Sequence, residues 1–583
     1  MHLDALLGCE RIAGDLELRV FAGIDESPLL TLHTVEGGLS VYAGAQSEHG
    51  LDGLRSLEHV GSLLLDGLEL QDLEPLGQLR SIGNPSQAQS FELTGAPSER
   101  GLEISNCSGL MSLHGLSALE YVQRIHLNAN PDLVSVAGLD NVRFVEELSS
   151  VDCPLLDLQG LEQLSVRSLS LFTTALTSLD GLGHAPRLFH LTLISNTALA
   201  SLEGGAFPAR MAEIQIEDSD ALLNLEGLEG LRELDALTIT SSDLGRSSLT
   251  SLAGLEGLEH VSSFLLSGVT SLARLSGLDA LLHVEQFQLG NSALRDLTGM
   301  PSLRHIGDLF VLTAPALTGL QGLDDVSINN LWLSDVPLPT LAGLEQVQLV
   351  DGAPLQIDAA PQLASLQGLP PVTTLGTLVL LDAPELRDVS ALAGLTSLES
   401  LTVQHTGLTD LDAFGNLRQL GGLYVDSNPQ LARMDGLGAV EGLKDLFVLN
   451  NDALQIWPST AVSEQAGYIQ VSDNQALTAL PGFSSLRSIV ALGIENNPSL
   501  TELDLSNLED ADSLLIRGNA ALDDEPLTPL ERRLPSNAQV KIVSNLSGPA
   551  RLSPCPWLND GICDEERADC AAGSDPGDCR SWQ

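Results

Sequence analysis

Apolar residues recur along this chain at a fixed period, most clearly between about Leu401 and Asn519. The clearest unit reads GGLYVDSNPQLARMDGLGAVEG, in which apolar side chains and one asparagine hold fixed places. These places are Leu423, Val425, Asn428, Leu431, Met434, Leu437 and Val440. The asparagine recurs about 23 residues apart, at Asn451, Asn474, Asn497 and Asn519. A period of about 20 to 50 residues predicts a solenoid, whose units bury their apolar faces by stacking on their neighbours.

Each unit predicts a short strand followed by a tight return leg. Alternate strand residues point to opposite faces, so Leu423 and Val425 should face the core and Tyr424 should face solvent. Strands of successive turns would then pair as a parallel sheet, about 4.8 Å apart. Asn428 follows the strand, where its amide can satisfy backbone groups without a ladder partner. The apolar spacing of three in the return leg suits 3-10 turns or irregular arcs better than a long helix.

The motif L-x-L-x-x-N-x-x-L-x-x-L resembles the leucine-rich repeat, and its N-P-x-L variant at Asn428 and Asn497 resembles bacterial receptor-L-domain and internalin-like proteins. The resemblance implies a leucine-rich repeat solenoid with its parallel sheet on the concave face and short 3-10 or irregular legs on the convex face. Parallel crossover connections are almost always right-handed, so we expect a right-handed solenoid. It should cover residues 1–548, with an atypical C-terminal cap at 522–548. Prolines cluster at 334–371, where we expect a lengthened loop or, alternatively, a seam or kink.

The asparagine position is less regular in the N-terminal half of the chain. It is filled by Asn130, Asn196, Ser219, Ser242 and Ser292 in different turns. Cys107 and Cys153 occupy it two turns apart, which places their backbones about 10 Å from each other. That separation is too large for a disulfide. We therefore expect two buried free thiols that take the place of asparagine.

The charge of the chain narrows the range of partners. Lys and Arg number 27 against 78 Asp and Glu, which gives a net charge of −51. Such a charge repels phosphate backbones and anionic membrane surfaces, so we do not expect nucleic acid as a partner. Solvated acidic loops that maintain solubility are the simplest interpretation, and binding of multivalent cations is the alternative. We also expect no transmembrane segment, because no apolar run reaches the roughly 18 residues that one requires.

The N-terminal stretch contains Leu6-Leu7-Gly8-Cys9, which resembles the lipobox that precedes a lipid-modified cysteine. A signal segment needs a basic start and an uninterrupted apolar core, whereas Asp4 interrupts this stretch and nothing basic precedes it. We therefore expect a structural Cys9. We expect either that a signal peptide has been removed or that this start site omits it.

The chain changes character after Pro549, and we treat 549–583 as a separate acidic module. It holds Cys555, Cys563, Cys570 and Cys579, four of the seven cysteines. A unit with so little apolar core needs disulfides or a metal to fold. Disulfides would place the protein outside a reducing cytosol, so we expect an extracellular or cell-surface location. A zinc site of four thiolates is an alternative, although the usual C-x-x-C spacing is absent.

The run N-D-G-x-C-D-E followed by D-x-x-D-C in this module resembles the Lin-12/Notch repeat, although that repeat has six cysteines and this module has four. The resemblance implies disulfides Cys555–Cys570 and Cys563–Cys579. It also implies a calcium site, since calcium takes six to eight hard oxygen ligands. The candidate ligands are Asn559, Asp560, Asp564, Asp575 and Asp578. A disulfide-bonded knot with a merely solvated acidic surface is the alternative.

Catalytic motifs leave no trace in this sequence. G-x-S-x-G, H-E-x-x-H and a glycine-rich phosphate loop are all missing from any fitting context, so we do not expect an enzyme. Most of the histidines are expected on return legs and turns, in solvated or capping roles. Examples are His114, His184, His260, His283 and His305.

Aromatic residues occupy several positions between the two strand apolars, where packing of the core gives no reason for them. Phe310 and Trp332 are expected on adjacent turns, and so are Tyr424 and Phe447. On the turn after Trp332 the corresponding position is predicted to be Gln348. Exposed apolar clusters often mark interaction sites, and Trp and Tyr are frequent anchors of binding energy.

These four aromatic residues are the predicted ligand-binding site. Asp308, Asp426 and Asp445 would give it an acidic rim that favours a neutral or basic partner. The sequence therefore predicts a secreted or cell-surface binding protein that recognises a protein or glycan on the concave sheet. The alternative is a structural spacer or envelope scaffold component without a specific ligand.

Overall fold

The computed structural model describes residues 3–20, 25–44, 51–83, 101–184, 186–242, 245–459, 461–523, 526–527, 529–535 and 538–543. The chain falls into two compact units, Met1–Val326 and Ser327–Gln583, called unit 1 and unit 2 below. Each is a stack of short parallel strands joined by return legs, a parallel β-solenoid consistent with a leucine-rich repeat. In the described residues no helix is both long and apolar enough to span a membrane.

Unit 1 is built from strands that pair in parallel, one in each turn. They are Leu16–Val20, Thr34–Ala43, His59–Asp66, Leu102–Ser105, Arg124–Asn128, Phe144–Val151, Ser165–Phe172, His190–Ile194, Arg210–Glu217, Glu233–Thr240, His260–Ser267, His283–Gly290 and His305–Leu312. Two-residue strands add further pairings at Arg11–Ile12, Ser81–Ile82, Tyr121–Val122, Gly183–His184 and Gly205–Ala206. Its described 3-10 turns are Leu3–Leu6, Ser27–Leu29, Asp52–Leu54 and Glu74–Leu76.

Unit 2 repeats the same arrangement. Its strands are Ser327–Ser334, Gln348–Leu349, Leu355–Asp358, Thr374–Leu381, Ser397–Gln404, Gln419–Asp426, Asp445–Leu449, Gln465–Ser472, Ser488–Glu495, Asp510–Arg517 and Gln539–Ile542. Small return-leg strands pair Glu441–Leu443 with Ala461–Val462 and Ala479–Leu480 with Glu502–Leu503. The described 3-10 turns are Ser390–Leu392, Asp412–Phe414, Asp435–Leu437 and Phe483–Ser485. One short α-helix, Leu530–Arg533, precedes the last strand, as the sequence predicts.

The core of each turn is formed by the residues that the repeat predicts. Leu423 and Val425 on the strand are buried, and so are Leu431 and Met434 on the return leg. Tyr424, between the two strand residues, is only half-buried. The alternation along the strand therefore separates one core face from one face on which polar and aromatic side chains lie.

Asparagines form a continuous buried ladder in unit 2. Asn428, Asn451, Asn474, Asn497 and Asn519 have no exposed surface. Each of the first four donates its backbone N–H to the side-chain oxygen of the next asparagine, over 3.0 to 3.1 Å. The side-chain amide then donates back to a strand carbonyl, as Asn474 Nδ2 does to Val448 over 2.9 Å. The predicted ladder is confirmed.

Cysteine replaces asparagine at two of these positions in unit 1. Cys107 and Cys153 are buried free thiols, as predicted. The backbone N–H of Cys107 donates to Asn130 Oδ1 over 2.9 Å, and Asn130 Nδ2 contacts Cys153 Sγ at 3.6 Å. Burial raises the pKa of the Cys107 thiol to about 11, which keeps it protonated at neutral pH. Cys9 is also a free thiol and is half-buried.

One strand register differs from the expectation. Gln348 pairs with Ser327 at the start of the preceding strand, whereas the partner of Trp332 is Gln356. The prediction of Gln348 at the position between two core residues was therefore wrong. Both Val347-Gln348-Leu349 and Leu355-Gln356-Ile357 show the required alternation, and the chain inserts an Asp351-Gly352 turn between them.

Candidate functional site

The polar and aromatic positions between the two core residues of each strand align from turn to turn. In this article they are called the face row. In unit 1 the row is Glu17, Ser40, Leu64, Glu103, His126, Ser149, Ser170, Thr192, Gln215, Thr238, Leu265, Gln288 and Phe310. In unit 2 it is Trp332, Gln356, Val379, Thr402, Tyr424, Phe447, Gln470, Gly493, Leu515 and Lys541.

All four predicted aromatic residues lie in these rows, and each is half-buried. Phe310 belongs to unit 1, where it pairs with Gln288. Trp332, Tyr424 and Phe447 belong to unit 2. Trp332 lies four strands before Tyr424, a separation of about 19 Å at about 4.8 Å per strand. Only Tyr424 and Phe447 are therefore direct neighbours within one unit.

Tyr424 and Phe447 form an aromatic pair on the sheet surface. Their ring centroids are 6.1 Å apart, and the ring planes are tilted by 41°. This spacing lies within the range in which aromatic rings attract each other, by about 0.5 to 1.5 kcal/mol. Val379 and Thr402 precede the pair in the row, so a small apolar and polar surface continues from it.

The Tyr424 hydroxyl is fixed by a carboxylate on the same strand. It donates to Asp426 Oδ2 over 3.2 Å. Asp426 is buried, and its Oδ1 accepts hydrogen bonds from the Ser427 hydroxyl and from Asn450 Nδ2, both over 2.9 Å. The tyrosine ring therefore has a defined orientation before any ligand arrives.

The acidic rim is in part where the sequence predicts it. Asp426 and Asp445 lie beside the aromatic pair, whereas Asp308 belongs to unit 1. Asp445 Oδ1 accepts the backbone N–H of Tyr468 over 2.9 Å. These two carboxylates give the pair in unit 2 a negatively charged border.

Tyr468 is a further aromatic residue that the sequence analysis did not select. Its side chain is 42% exposed, and it stands two residues before Gln470, the neighbour of Phe447 in the face row. The geometry of a parallel sheet places its Cα about 8 Å from that of Phe447. The sequence analysis considered one solvent-facing position for each strand, whereas each strand has a second one two residues earlier.

Three histidines lie at the start of consecutive strands in unit 1, and not on return legs or turns as predicted. His260, His283 and His305 are direct partners in the sheet. Their spacing of 23 and 22 residues equals the repeat period, and each is followed by a buried Val or Ile. That periodicity is the sequence signal that would have found them. His114 does lie outside the strands, as expected, and His184 lies on a two-residue strand of a return leg.

The predicted residues of the C-terminal module lie outside the described part of the structure. They are Cys555, Asn559, Asp560, Cys563, Asp564, Cys570, Asp575, Asp578 and Cys579. Their disulfide pairing and calcium binding stay predictions.

No protein-family model matches this chain, and no curated protein matches it. Among solved structures it is similar to the plant peptide hormone receptor RGFR1 in complex with RGF2, with 14% identity over 87% of this chain and 81% of that one, at a TM-score of 0.29. For a leucine-rich repeat protein of Leptospira interrogans the values are 13%, 85%, 97% and 0.27. For the functional domain of InlJ from Listeria monocytogenes they are 16%, 58%, 74% and 0.21. At these identities and TM-scores, no ligand or activity transfers to this chain.

Proposed function

We propose that this chain is a secreted or cell-surface binding protein that recognises a protein or glycan through the face row of unit 2. The observation that carries the proposal is the pair of Tyr424 and Phe447 on the sheet surface. The strand residues beside them already fill the core, so packing of the turn does not require aromatic rings at these positions. Paired aromatic side chains on a soluble protein often mark an interaction surface.

The chemistry of the pair indicates what its partner offers. The Phe447 ring presents an apolar surface, and Tyr424 combines a ring with a hydroxyl that Asp426 orients. Such rings stack on the apolar face of a sugar or accept an apolar side chain of a protein. Because Asp426 and Asp445 border the rings and the chain carries a net charge of −51, we expect a neutral or basic partner.

We expect Tyr424→Ala and Phe447→Ala each to weaken binding by about 1 to 3 kcal/mol, because aromatic anchors dominate interface energies. Trp332→Ala tests whether the same ligand extends along the row. The purified protein would be screened against a glycan array and against surface proteins, with and without calcium, and each hit titrated by calorimetry. Hits on the array identify a glycan, and hits confined to proteins identify a protein partner.

Matched substitutions in unit 1 control for the loss of an aromatic ring. Tyr42 is half-buried on the strand Thr34–Ala43, and the side chain of Phe189 is 41% exposed. Tyr42→Ala and Phe189→Ala should leave affinity unchanged. Equal affinity in all variants would move the site elsewhere. A large fall in melting temperature for Tyr424→Ala would show that the ring has a structural role.

We also propose that the module at 549–583 binds one calcium ion, an idea that rests on its carboxylates and its resemblance to the Lin-12/Notch repeat. We expect Asp564→Ala and Asp578→Ala to abolish one calcium equivalent in calorimetry of the full chain, since each removes a hard oxygen ligand. Asp452→Ala, an exposed carboxylate of the solenoid, is the control. If both module variants bind as much calcium as the control, the module is a disulfide knot with a solvated acidic surface.

A further inference from the structure

The three histidines at consecutive strand starts form a stack on the surface of unit 1. The rings of His283 and His305 have centroids 4.6 Å apart and planes inclined by 23°. The rings of His260 and His283 are farther apart, at 6.2 Å and 50°. His283 and His305 therefore form the close pair, on two strands whose backbones are held in register by the sheet.

A carboxylate completes this pair. Glu285 lies two residues after His283 on the same strand, and its Oε1 is 2.7 Å from His283 Nε2. The pKa of Glu285 is lowered, first by this hydrogen bond and then by the nearby charges of His283 and His305, so the group is an anion at neutral pH. Its side chain remains 57% exposed, and that of His283 is 34% exposed.

A glycine on the next strand leaves room for this carboxylate. A Cβ atom at Gly307 would lie 3.1 Å from Glu285 Oε2 and would overlap the Glu285 backbone oxygen. Any side chain at position 307 would therefore press on Glu285. With glycine there, the carboxylate can lie close to the backbone of the strand that carries His305.

We propose that His283, Glu285 and His305 bind one divalent transition-metal ion of the zinc type. Two imidazoles and one carboxylate are a ligand set that zinc takes at sites with an open fourth position. One ligand atom from each residue lies within 4.8 Å of the other two. Zinc bonds of about 2.0 to 2.1 Å in tetrahedral geometry need ligand atoms about 3.3 Å apart, so side-chain rotations that close this gap suffice.

The metal would take the place of the proton that His283 Nε2 and Glu285 Oε1 now share. It would be held by side chains on strands, whose backbones are fixed more precisely than those of loops. Within the described ranges, this is the one group of three such side chains with ligand atoms that close together. The pairs His114–Glu74, at 3.2 Å, and His405–Asp382, at 2.8 Å, each offer a single imidazole and a single carboxylate.

The test is zinc binding by the full chain after treatment with a chelator. We expect wild-type protein to bind one zinc equivalent more, by calorimetry with zinc chloride, than either His283→Ala or His305→Ala. Glu285→Gln should retain the site with at least about tenfold weaker affinity, because it loses an anionic ligand. Cobalt added in place of zinc should show d–d bands without thiolate charge transfer, which separates this site from cysteine ligation in the C-terminal module.

His114→Ala and His260→Ala are the matched controls. The first removes a histidine that has a carboxylate but no second imidazole, and the second removes the distant ring of the stack. Both should bind the same number of zinc equivalents as wild type. If His283→Ala and His305→Ala also bind that number while their circular dichroism matches wild type, the proposal is wrong. If His260→Ala loses zinc to the same extent, the three-residue ligand set is wrong.

Discussion

We expect Asn474→Ala to lower the free energy of unfolding of unit 2 by about 3 kcal/mol or more. Asn474 has no exposed surface, and its Nδ2 donates to the carbonyls of Val448 and Ser472, each over 2.9 Å. Its Oδ1 accepts the backbone N–H of Asn451 over 3.1 Å. Alanine leaves these three buried backbone groups without their partner, and an unsatisfied buried group costs about 1 to 3 kcal/mol.

Two measurements check this expectation. Urea denaturation followed by circular dichroism reports the loss of stability, and native-state hydrogen exchange reports where it occurs. The amide of Asn451 should lose protection most, because alanine removes its acceptor. Exchange is needed because long repeat arrays can unfold in more than one step, so that a single unfolding free energy is not always defined.

Asn416→Ala is the matched control for this prediction. Asn416 lies on a return leg, is exposed, and donates from Nδ2 to the carbonyl of Ala393 over 2.8 Å. Water can replace its partner, so the change should stay within about 0.5 kcal/mol. Similar losses in the two variants would contradict a special role for the buried ladder.

The ladder and the core could be predicted from the sequence because the repeat states each position several times. Leu423, Asn428 and Leu431 have counterparts about 23 residues later, so an error in one unit would be exposed by the next. The same redundancy placed Tyr424 and Phe447 side by side before any coordinates were known. Both residues do lie in neighbouring turns of one face row.

The misplaced Gln348 shows where this redundancy fails. The inserted Asp351-Gly352 turn interrupts one strand, and a two-residue alternation on either side of it fits the motif equally well. Spacing alone could have decided between them, since Leu355 follows Leu331 by 24 residues, close to the period. A local pattern was preferred to the period, although the period has more physical support in a stacked fold.

The histidine stack was missed for a different reason. The sequence analysis defined strands by two core residues and the one between them, whereas most strands begin four residues earlier, as His283–Gly290 does. Side chains at the strand start also lie in register across the sheet. Sequence patterns of core residues cannot show this, because backbone pairing continues beyond the alternating segment.

Glycines of the return legs form a second column that the sequence analysis did not interpret. Gly227, Gly254 and Gly277 recur near the repeat period, each with φ between 106° and 115°. In each, a Cβ atom would overlap the backbone carbonyl of a leucine on the preceding turn. The leucines would otherwise not stack closely, so these glycines set the approach of successive legs.

We expect Gly254→Ala to destabilise unit 1 by about 4 kcal/mol or more, a size reserved for severe disruptions. The new Cβ would overlap the carbonyl carbon and oxygen of Leu225. Leu225 cannot move away freely, because its backbone N–H donates to the carbonyl of Ala253 over 2.8 Å. The substitution therefore separates two turns and breaks a hydrogen bond between them.

Gly245→Ala isolates this contact from backbone strain. Gly245 has φ of 108°, close to the 106° of Gly254, but a Cβ there meets nothing within 4 Å. Alanine at position 245 should cost only the strain of its φ, about 1 to 3 kcal/mol. Thermal melts of both variants give the difference, which measures the contact between turns. Equal losses would mean that the return legs yield to a methyl group, and that strained φ alone fixes these glycines.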